Sequence, residues 1–450
     1  MMEIPFPQKL ARLDLERLRA YQENLDFYNG HQWPSRTRPR RERQLTFNYA
    51  RVFTEKVTSY LMSGVTLVVE PWDSSPPARE RALRAEVSLR QVAEENSLEG
   101  LDFETEMDCA ILGDGGYKVT WDGGQVRITA PDVQGLYAWW AGDHMGQVWR
   151  VACRYRLSAE EIELLYGRKL PLGRREGVIV EVWTAKDFEL WLDNALLEHK
   201  ANPYGFIPFV IYPNLREPKK FWGVSDIPAL KEAARELNRA LSQLSMILEL
   251  SGNPIAVLEN VEDARDIAVQ PGAVWELPDR AKAYLLDLLQ GGGIRLHIDY
   301  IDLLYRTLHD LSEAPRTAFG DNRQGLSGVA LEMELHPLLQ KVRRKRLVRA
   351  QAYRKRAEMT LRLLELRTGQ SFLPCRIRVV WGPVLPQDRS RQVRDEQALV
   401  ASGLHSRRRA MDNLGVEDAE GEFQRWLEEE RLLKGGGDGD GRGADERAGG

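Results

Sequence analysis

The sequence predicts a mixed α+β protein, mainly helical, and three observations carry that expectation. Apolar residues step 4-3-4-3-4 from Leu230 through Ala234, Leu237, Leu241 and Leu244 to Leu248, which is a heptad seam. Asp-Gly pairs punctuate alternating apolar and polar residues in "LGDGGYKVTWDGGQVRITAP", a hairpin signal given twice. A loop rich in glycine and amides, "AFGDNRQGLSG", leads into one long helix that turns strongly basic. Nine Lys or Arg residues lie between Lys341 and Arg356, and no acid lies between Glu334 and Glu358.

Taken in order, residues 8–30 read as an amphipathic helix on Leu10, Leu13, Leu15, Leu18 and Tyr21, closed by Asn29-Gly30. An arginine-rich loop follows, with Arg36, Arg38, Arg40, Arg41 and Arg43. The next helix places Val52, Phe53, Val57, Tyr60 and Leu61 on one side and ends at Gly64, before the buried-strand run "VTLVVEP". Helices are expected over about 77–96 and 99–112. Residues 113–215 are β-rich, antiparallel and rich in Trp. One short helix interrupts them, and Ser158 with Glu161 three residues on has the form of a capping box. The seamed helix starts after Ser225, with Pro228 in its first turn, and stops at Gly252 and Pro254. It spans roughly 33 Å at 1.5 Å per residue. A small segment with strands near 255–258 and 272–277 and a short helix near 260–267 precedes Gly291-Gly292-Gly293. A second seamed helix carries Ile298, Ile301, Tyr305 and Leu308 and ends before Pro315. The long helix should reach about Arg367 and kink at Pro337, which lacks the N–H of a helical bond. The strand "CRIRVVWGPVLP" and two helices, about 388–402 and 406–432, complete the ordered part. The last residues, "GGGDGDGRGADERAGG", are too poor in apolar side chains to fold.

The chain has 450 residues, 43% of them hydrophobic, enough for two or three cores. Charges nearly cancel, at a net −4, so any contact with nucleic acid must be local. No run approaches the ~18 apolar residues of a membrane span, and the N-terminus lacks a signal-peptide pattern. Cys109, Cys153 and Cys375 are far apart and odd in number, which suggests three buried thiols in a reducing compartment.

Enzyme signatures are missing from the sequence. No Walker-type phosphate loop, zinc-binding helix motif or Cys/His cluster occurs, so neither a catalytic residue, a metal site nor a cofactor is expected. Ser327 lies in a partial nucleophile-elbow pattern but suits the N-cap of the long helix better. Gly291–Gly293 reads as a hinge. Asp299 and Asp302 share a helix face, yet no third ligand stands near them for a metal-dependent nuclease. The basic run requires an anionic neighbour, either nucleic acid or acidic side chains, and its bland reading is a solvated face paired to acids of adjacent subunits. A membrane-surface or partner-binding scaffold is the alternative use of such a helix. Asp299, Asp302, Asp310 and Glu313, with His309 and Arg306 among them, form a mostly acidic face. Around a symmetric ring that face would become charged circles that repel DNA.

Several stretches resemble the portal proteins of tailed double-stranded DNA bacteriophages, in the branch found in siphophages. They are "FYNGHQW", "NYARVFTEKVTSYLMSG" running into "VTLVVEP", "YGFIPFVIYPN" before the first seamed helix, "LSGVALEMEL" and the acidic "GVEDAEGEFQRWLEEE". The resemblance covers about residues 10–430, while 253–292 and the Gly-rich tail match nothing in it. It implies a portal-type fold: a wing (1–224 and 328–385), a two-helix stem (225–251 and 294–313), a small α/β clip (252–293), a tunnel loop (314–327), a helical crown (386–432) and a disordered tail (433–450). It also implies a non-enzymatic ring, a dodecamer, at one capsid vertex of the virion, assembled in the host cytoplasm. That ring passes double-stranded DNA without reading its sequence and is a partner of the terminase large subunit, the head-tail adaptor and the major capsid and scaffolding proteins, with no membrane partner. Arg316, Asn322, Arg323 and Gln324 would then face DNA, Gly320, Gly325 and Gly328 would be loop hinges, the four acids would line the channel, and Pro337 would mark the kink of the lever helix.

Overall fold

The computed structural model describes residues 6–10, 12–33, 44–142, 144–252, 255–260, 280–286, 293–321, 328–385, 389–416 and 419–435. The chain forms two compact units, Met1–Gly382 and Pro383–Gly450. It is mixed α+β, with helix well ahead of strand at 54% against 22%.

The first unit opens with α1 (Phe6–Leu10), α2 (Leu15–Tyr28) and α3 (Tyr49–Leu61), followed by β1 (Val65–Pro71), α4 (Pro76–Glu95) and α5 (Leu98–Leu112). The β-rich stretch comprises β2 (Asp114–Asp122), β3 (Gln125–Thr129), β4 (Leu136–Ala141), β5 (His144–Ser158), the short α6 (Ala159–Tyr166), β6 (Glu176–Thr184), β7 (Asp187–Leu192), β8 (Ala195–Ala201) and β9 (Phe209–Pro213). A helical pair follows, α7 (Pro228–Gly252) and α8 (Gly293–Ser312), separated by β10 (Ile255–Glu259) and β11 (Lys282–Leu286), which pair antiparallel. The unit closes with α9 (Gly328–Thr368) and β12 (Cys375–Trp381). The second unit contains α10 (Arg389–Ala401), α11 (Arg407–Asn413) and α12 (Ala419–Gly435). There Arg407 lies 4.0 Å above the Trp426 ring and Arg408 pairs with Glu420 at 2.8 Å.

The first unit is layered. Strands β4 to β8 form a five-stranded meander in chain order, and β3-β2-β9 form a second sheet. Strand alternation gives the second sheet two buried faces. Tyr117, Val119, Val210 and Tyr212 meet Tyr353, Met359 and Leu363 of α9. On the opposite face Phe209 meets Leu136, Val151, Ile179 and Trp183 of the meander. A third core sets Ala82, Ala85 and Leu89 of α4 and Val69 and Ile377 of the β1–β12 pair against Ala357 and Leu361 of α9. The long helix thus touches most of the unit's layers.

Several expectations need correction. The expected 8–30 helix is two helices, broken ahead of Asp14, whose φ is +55°. Leu10 and Tyr21 of the expected stripe are buried, together with Phe27, but Leu13 and Leu15 are exposed, because the break leaves α1 to turn Leu10 onto Tyr137, Val180 and Val182 of the meander. Val52 faces solvent although Phe53, Val57 and Leu61 are buried. The run "VTLVVEP" has one partner strand, and only Val69 in it is buried. The first Asp-Gly pair is not a turn: Gly115 and Gly116 lie inside β2. A Cβ on Gly115 would come within 2.7 Å of the Tyr212 ring, so close packing explains that glycine. The second pair does turn, with Gly123 and Gly124 at φ +56° and +86°. The segment 283–290 supplies strand β11 across Lys282–Leu286. The last expected helix is broken at Gly415, φ +74°. Cys109 and Cys153 are buried, but Cys375 is only half-buried. The capping box of α6 forms as read, with reciprocal Ser158 and Glu161 bonds. The arginine-rich loop 34–43, the short helix near 260–267, the strand near 272–277 and the tail beyond Gly435 lie outside the described residues.

Asp114 joins α2 to the second sheet. It accepts the Tyr21 hydroxyl at 2.5 Å and the Gly223 N–H at 2.8 Å. Burial raises its pKa to about 6, against the opposing pull of Tyr21, Gly223 and Arg17. The folded chain therefore holds this proton more tightly than the unfolded chain, and stability falls as pH rises from the unfolded value of about 4 towards 6 and above. Asp114→Asn should flatten that slope, which amounts to on the order of 3 kcal/mol, in urea denaturation between about pH 4 and pH 7.

Candidate functional site

The basic run of α9 is divided: Arg343, Arg344, Arg354 and Lys355 face solvent, while four of its other cations are buried. Lys341, Lys345, Arg349 and Arg356 are 5%, 0%, 0% and 4% exposed. They follow one another by four, four and seven residues and so share one helix face. Each meets an acid of its own chain. Asp226, just before α7, forms an ion pair with Lys341 at 3.1 Å and accepts a hydrogen bond from Lys345. Glu106 of α5 accepts from Arg349 Nε at 2.9 Å. Asp102, one turn earlier on α5, takes a forked contact from Arg356, its second arm at 2.9 Å. Arg349 spends its remaining donors on the Asn214 carbonyl, at 2.5 Å, and on Asn214 Oδ1, at 2.9 Å. Tyr212 and Tyr353 hydroxyls also turn to Glu106.

Removing such charges from water costs several kcal/mol per ion, so each must be fully bonded to persist. Burial disfavours the Asp226 carboxylate, but Lys345 and Lys341 outweigh it and hold its pKa well below the usual range. Its contribution is present above the unfolded carboxylate value and is lost only as pH falls through the folded one. Arg346, on another face, donates to the Leu61 carbonyl, Ser63 Oγ and the Gly382 carbonyl at 3.2, 2.8 and 2.9 Å. It thereby caps the C-terminal end of α3, where a cation is favoured. For the buried cations the expected acidic partners are therefore intrachain, whereas Arg343, Arg354 and Lys355 keep the solvated face that the sequence suggests.

The connection from α8 to α9 carries the sequence-predicted site. Arg316 begins a single 3-10 turn, Arg316–Phe319. Its guanidinium donates to Asp302 at 2.8 Å and stands 4.6 Å above the Tyr305 ring. Asp302 also takes Arg306, and these two cations lower its pKa. Gly320 closes the turn at φ +87°, where a side chain would be strained. Behind it His309 is buried, donating through Nδ1 to the Ala314 carbonyl at 2.6 Å, which leaves Nε2 without a hydrogen bond. The rings of Tyr305, Phe53 and Phe319 stand edge-on to the imidazole at 4.6, 4.9 and 5.5 Å. Burial lowers the His309 pKa, so the ring is neutral near pH 7. Glu313, φ +56°, accepts Arg344 Nη2 on both of its carboxylate oxygens at 2.7 Å, and Lys341 donates to the Ser312 carbonyl at 3.0 Å.

The structure thus brings together Arg316, Asp302, Gly320 and Glu313 at one junction. Asp299 and Asp310 are exposed on α8. The acidic face is less acidic than its residue list suggests, since Asp302 and Glu313 are neutralised by arginines and His309 points inward. Asn322, Arg323, Gln324 and Gly325 lie outside the described residues, as does Ser327. Gly328 is the first residue of α9, which runs on through Pro337 without interruption. Sequence reasoning missed Asp102, Glu106 and Asp226. The available signal was phase: the buried cations recur at helix spacing alongside the apolar Val342 and Tyr353, and Asp102 and Glu106 are four apart on α5, on the face that carries Leu98 and Cys109. Among the described residues no three His, Cys, Asp or Glu side chains converge to hold a metal ion. No described helix is long and apolar enough to cross a membrane.

The first unit thus combines a long helix held by intrachain ion pairs with an α7–α8 pair that carries outward apolar residues. The chain belongs to the phage portal proteins, in the family described as SPP1 Gp6-like, whose model matches residues 8–434. It is accordingly a non-enzymatic component of the virion. No curated protein matches it.

Replacing Arg349 by Ala strands Glu106 in the core and should cost about 4 kcal/mol in denaturant unfolding. The double variant Arg349→Met with Glu106→Leu should recover most of that loss, because the stranded carboxylate, not the lost attraction, is the larger penalty.

Proposed function

We propose that copies of this chain form a closed ring, a dodecamer, at one capsid vertex, and that DNA enters and leaves through its channel. One observation supports this beyond family membership. The α7–α8 pair carries large apolar side chains that stay uncovered among the described residues: Leu248, Leu296, Ile298 and Leu303 are 53%, 72%, 51% and 59% exposed. The near half of the same seam, Leu230, Ala234 and Leu237, is buried. Apolar surface on this scale is suited to neighbouring copies.

In this reading residues 1–224 and 328–385 are the wing, 225–251 and 294–313 the stem, 252–293 the clip and 386–432 the crown. The clip meets the terminase during packaging and the head-tail adaptor afterwards, and the ring meets capsid and scaffolding proteins during assembly. Residues 314–327 form the tunnel loop, with Asn322, Arg323 and Gln324 towards the DNA backbone and Gly325 as a hinge. Arg316 anchors the root of that loop through Asp302 and Tyr305, and it can reach a phosphate only by exchanging one anion for another. Asp299 and Asp310 are the lining acids free to repel DNA. Pro337 lets the first turns of α9 move against the remainder.

Negative-stain microscopy of the purified chain should show rings with a central hole; a persistent monomer would sink this reading. Arg316→Ala with Arg323→Ala should leave rings intact while reducing DNA retained per particle, measured by nuclease protection. Unchanged retention would remove the tunnel-loop assignment and leave the ring standing.

A further inference from the structure

Strand β9 sits at the edge of its sheet, paired to β2 alone. Val119 N–H donates to the Pro208 carbonyl and Asn214 N–H to the Gly113 carbonyl, both between register partners. Antiparallel pairing alternates, so even-numbered residues of β9 bond to β2, and Phe209, Ile211 and Pro213 direct their backbone groups the other way. The Pro213 carbonyl is taken by Arg349 at 3.4 Å. No partner among the described residues takes the N–H and C=O of Phe209 or Ile211. Four backbone groups therefore stand open along one edge.

That edge lines a cleft of about 610 Å3. One wall is the meander, with Gln147, Val148 and the half-exposed indole of Trp149. The other wall is α9, with Lys355, Glu358, Met359 and Arg362. The charge of the cleft is uneven. Arg216, Lys355 and Arg362 line it and outnumber its one lining acid, Glu358, which acts on Lys355. Lys220, also on the rim, is already matched by Glu217 at 2.7 Å.

We propose that this slot takes an acidic, extended peptide segment of a second protein, which adds a strand to β9. The backbone of Phe209 and Ile211 supplies four hydrogen bonds. Side chains of the incoming strand alternate, acids turning to Lys355 and Arg362 and apolar or aromatic groups to the Trp149 wall. Duplex DNA fits poorly, because its phosphates cannot enter a recessed slot with an apolar floor and gain nothing from Ile207, Ile211 or Met359. The inference stands apart from the ring, since every residue it uses belongs to one chain.

The probe is a fluorescein-labelled, alternating Glu-Val peptide, added to the full chain and followed by anisotropy. It should bind saturably. The same peptide interrupted by proline, and an oligoglutamate of equal charge, should each bind about tenfold more weakly, the first lacking backbone donors and the second lacking apolar contacts. Lys355→Glu with Arg362→Glu should reverse the preference towards an alternating Lys-Val peptide. Ile211→Pro should also weaken binding, because it removes an outward N–H that β2 does not use. Thermal melts show whether these variants remain folded, and the proline-interrupted peptide tests the idea on the unaltered chain. Equal binding of oligoglutamate and the alternating peptide, or of duplex DNA in their place, would overturn the proposal, as would no binding at all.

Discussion

Four cations on one helix must each find a buried anion, and the first unit is arranged around that requirement. Helix α9 cannot take its place until α5 presents Asp102 and Glu106 one turn apart and the chain before α7 presents Asp226. These acids come from far upstream, so the ion pairs join distant parts of the sequence at fixed points. Coulomb attraction alone is a weak source of stability in such pairs, because desolvation offsets it. Their stronger effect is on register. A slide of α9 by one turn would move Lys345 past Asp226 and leave Arg349 facing the tyrosines around Glu106 with the wrong donor geometry. Apolar packing of Tyr353, Met359 and Leu363 tolerates small slides; the charge pattern does not.

The same requirement shapes the junction between α8 and α9. Lys341 binds Asp226 with its charge and the Ser312 carbonyl with a hydrogen bond, so the end of α8 is tied to the start of the paired stripe. Arg344 adds Glu313. The turn that follows is held by Arg316 on Asp302 and by aromatic edges around a neutral imidazole. The connection is therefore fixed as far as Asp321 by contacts to α8 and α3.

Much of the architecture was legible because it is written in local periodicity. The heptad steps located α7 and α8, the capping box located α6, and the second Asp-Gly pair located the β2–β3 turn. Errors arose where tertiary contact overrode local pattern. Gly115 looks like a turn glycine but serves the Tyr212 ring, a neighbour far along the chain. Leu13 and Leu15 look like a helix stripe but lie beside a break that turns Leu10 inward. The buried part of the basic run was the largest misjudgement, and its cause is physical: charge density along a segment does not say which way the charges face. Phase does, and the four-residue spacing of Lys341, Lys345 and Arg349 holds that information. The loop residues around Arg323 are named by resemblance alone, since backbone-phosphate contacts need no particular fold signature.

Locking four of the lysines and arginines of α9 inside the fold has a consequence for a wall that borders a moving polyanion. A mobile surface cation beside DNA exchanges its counter-ion for phosphate and acts as a brake on translocation. Cations already saturated by carboxylates in a dry interior have no valence left to offer, and dissolved salt scarcely reaches them. The four buried cations of α9 thus add nothing to its surface charge, which is left to exposed residues such as Arg343, Arg354 and Lys355.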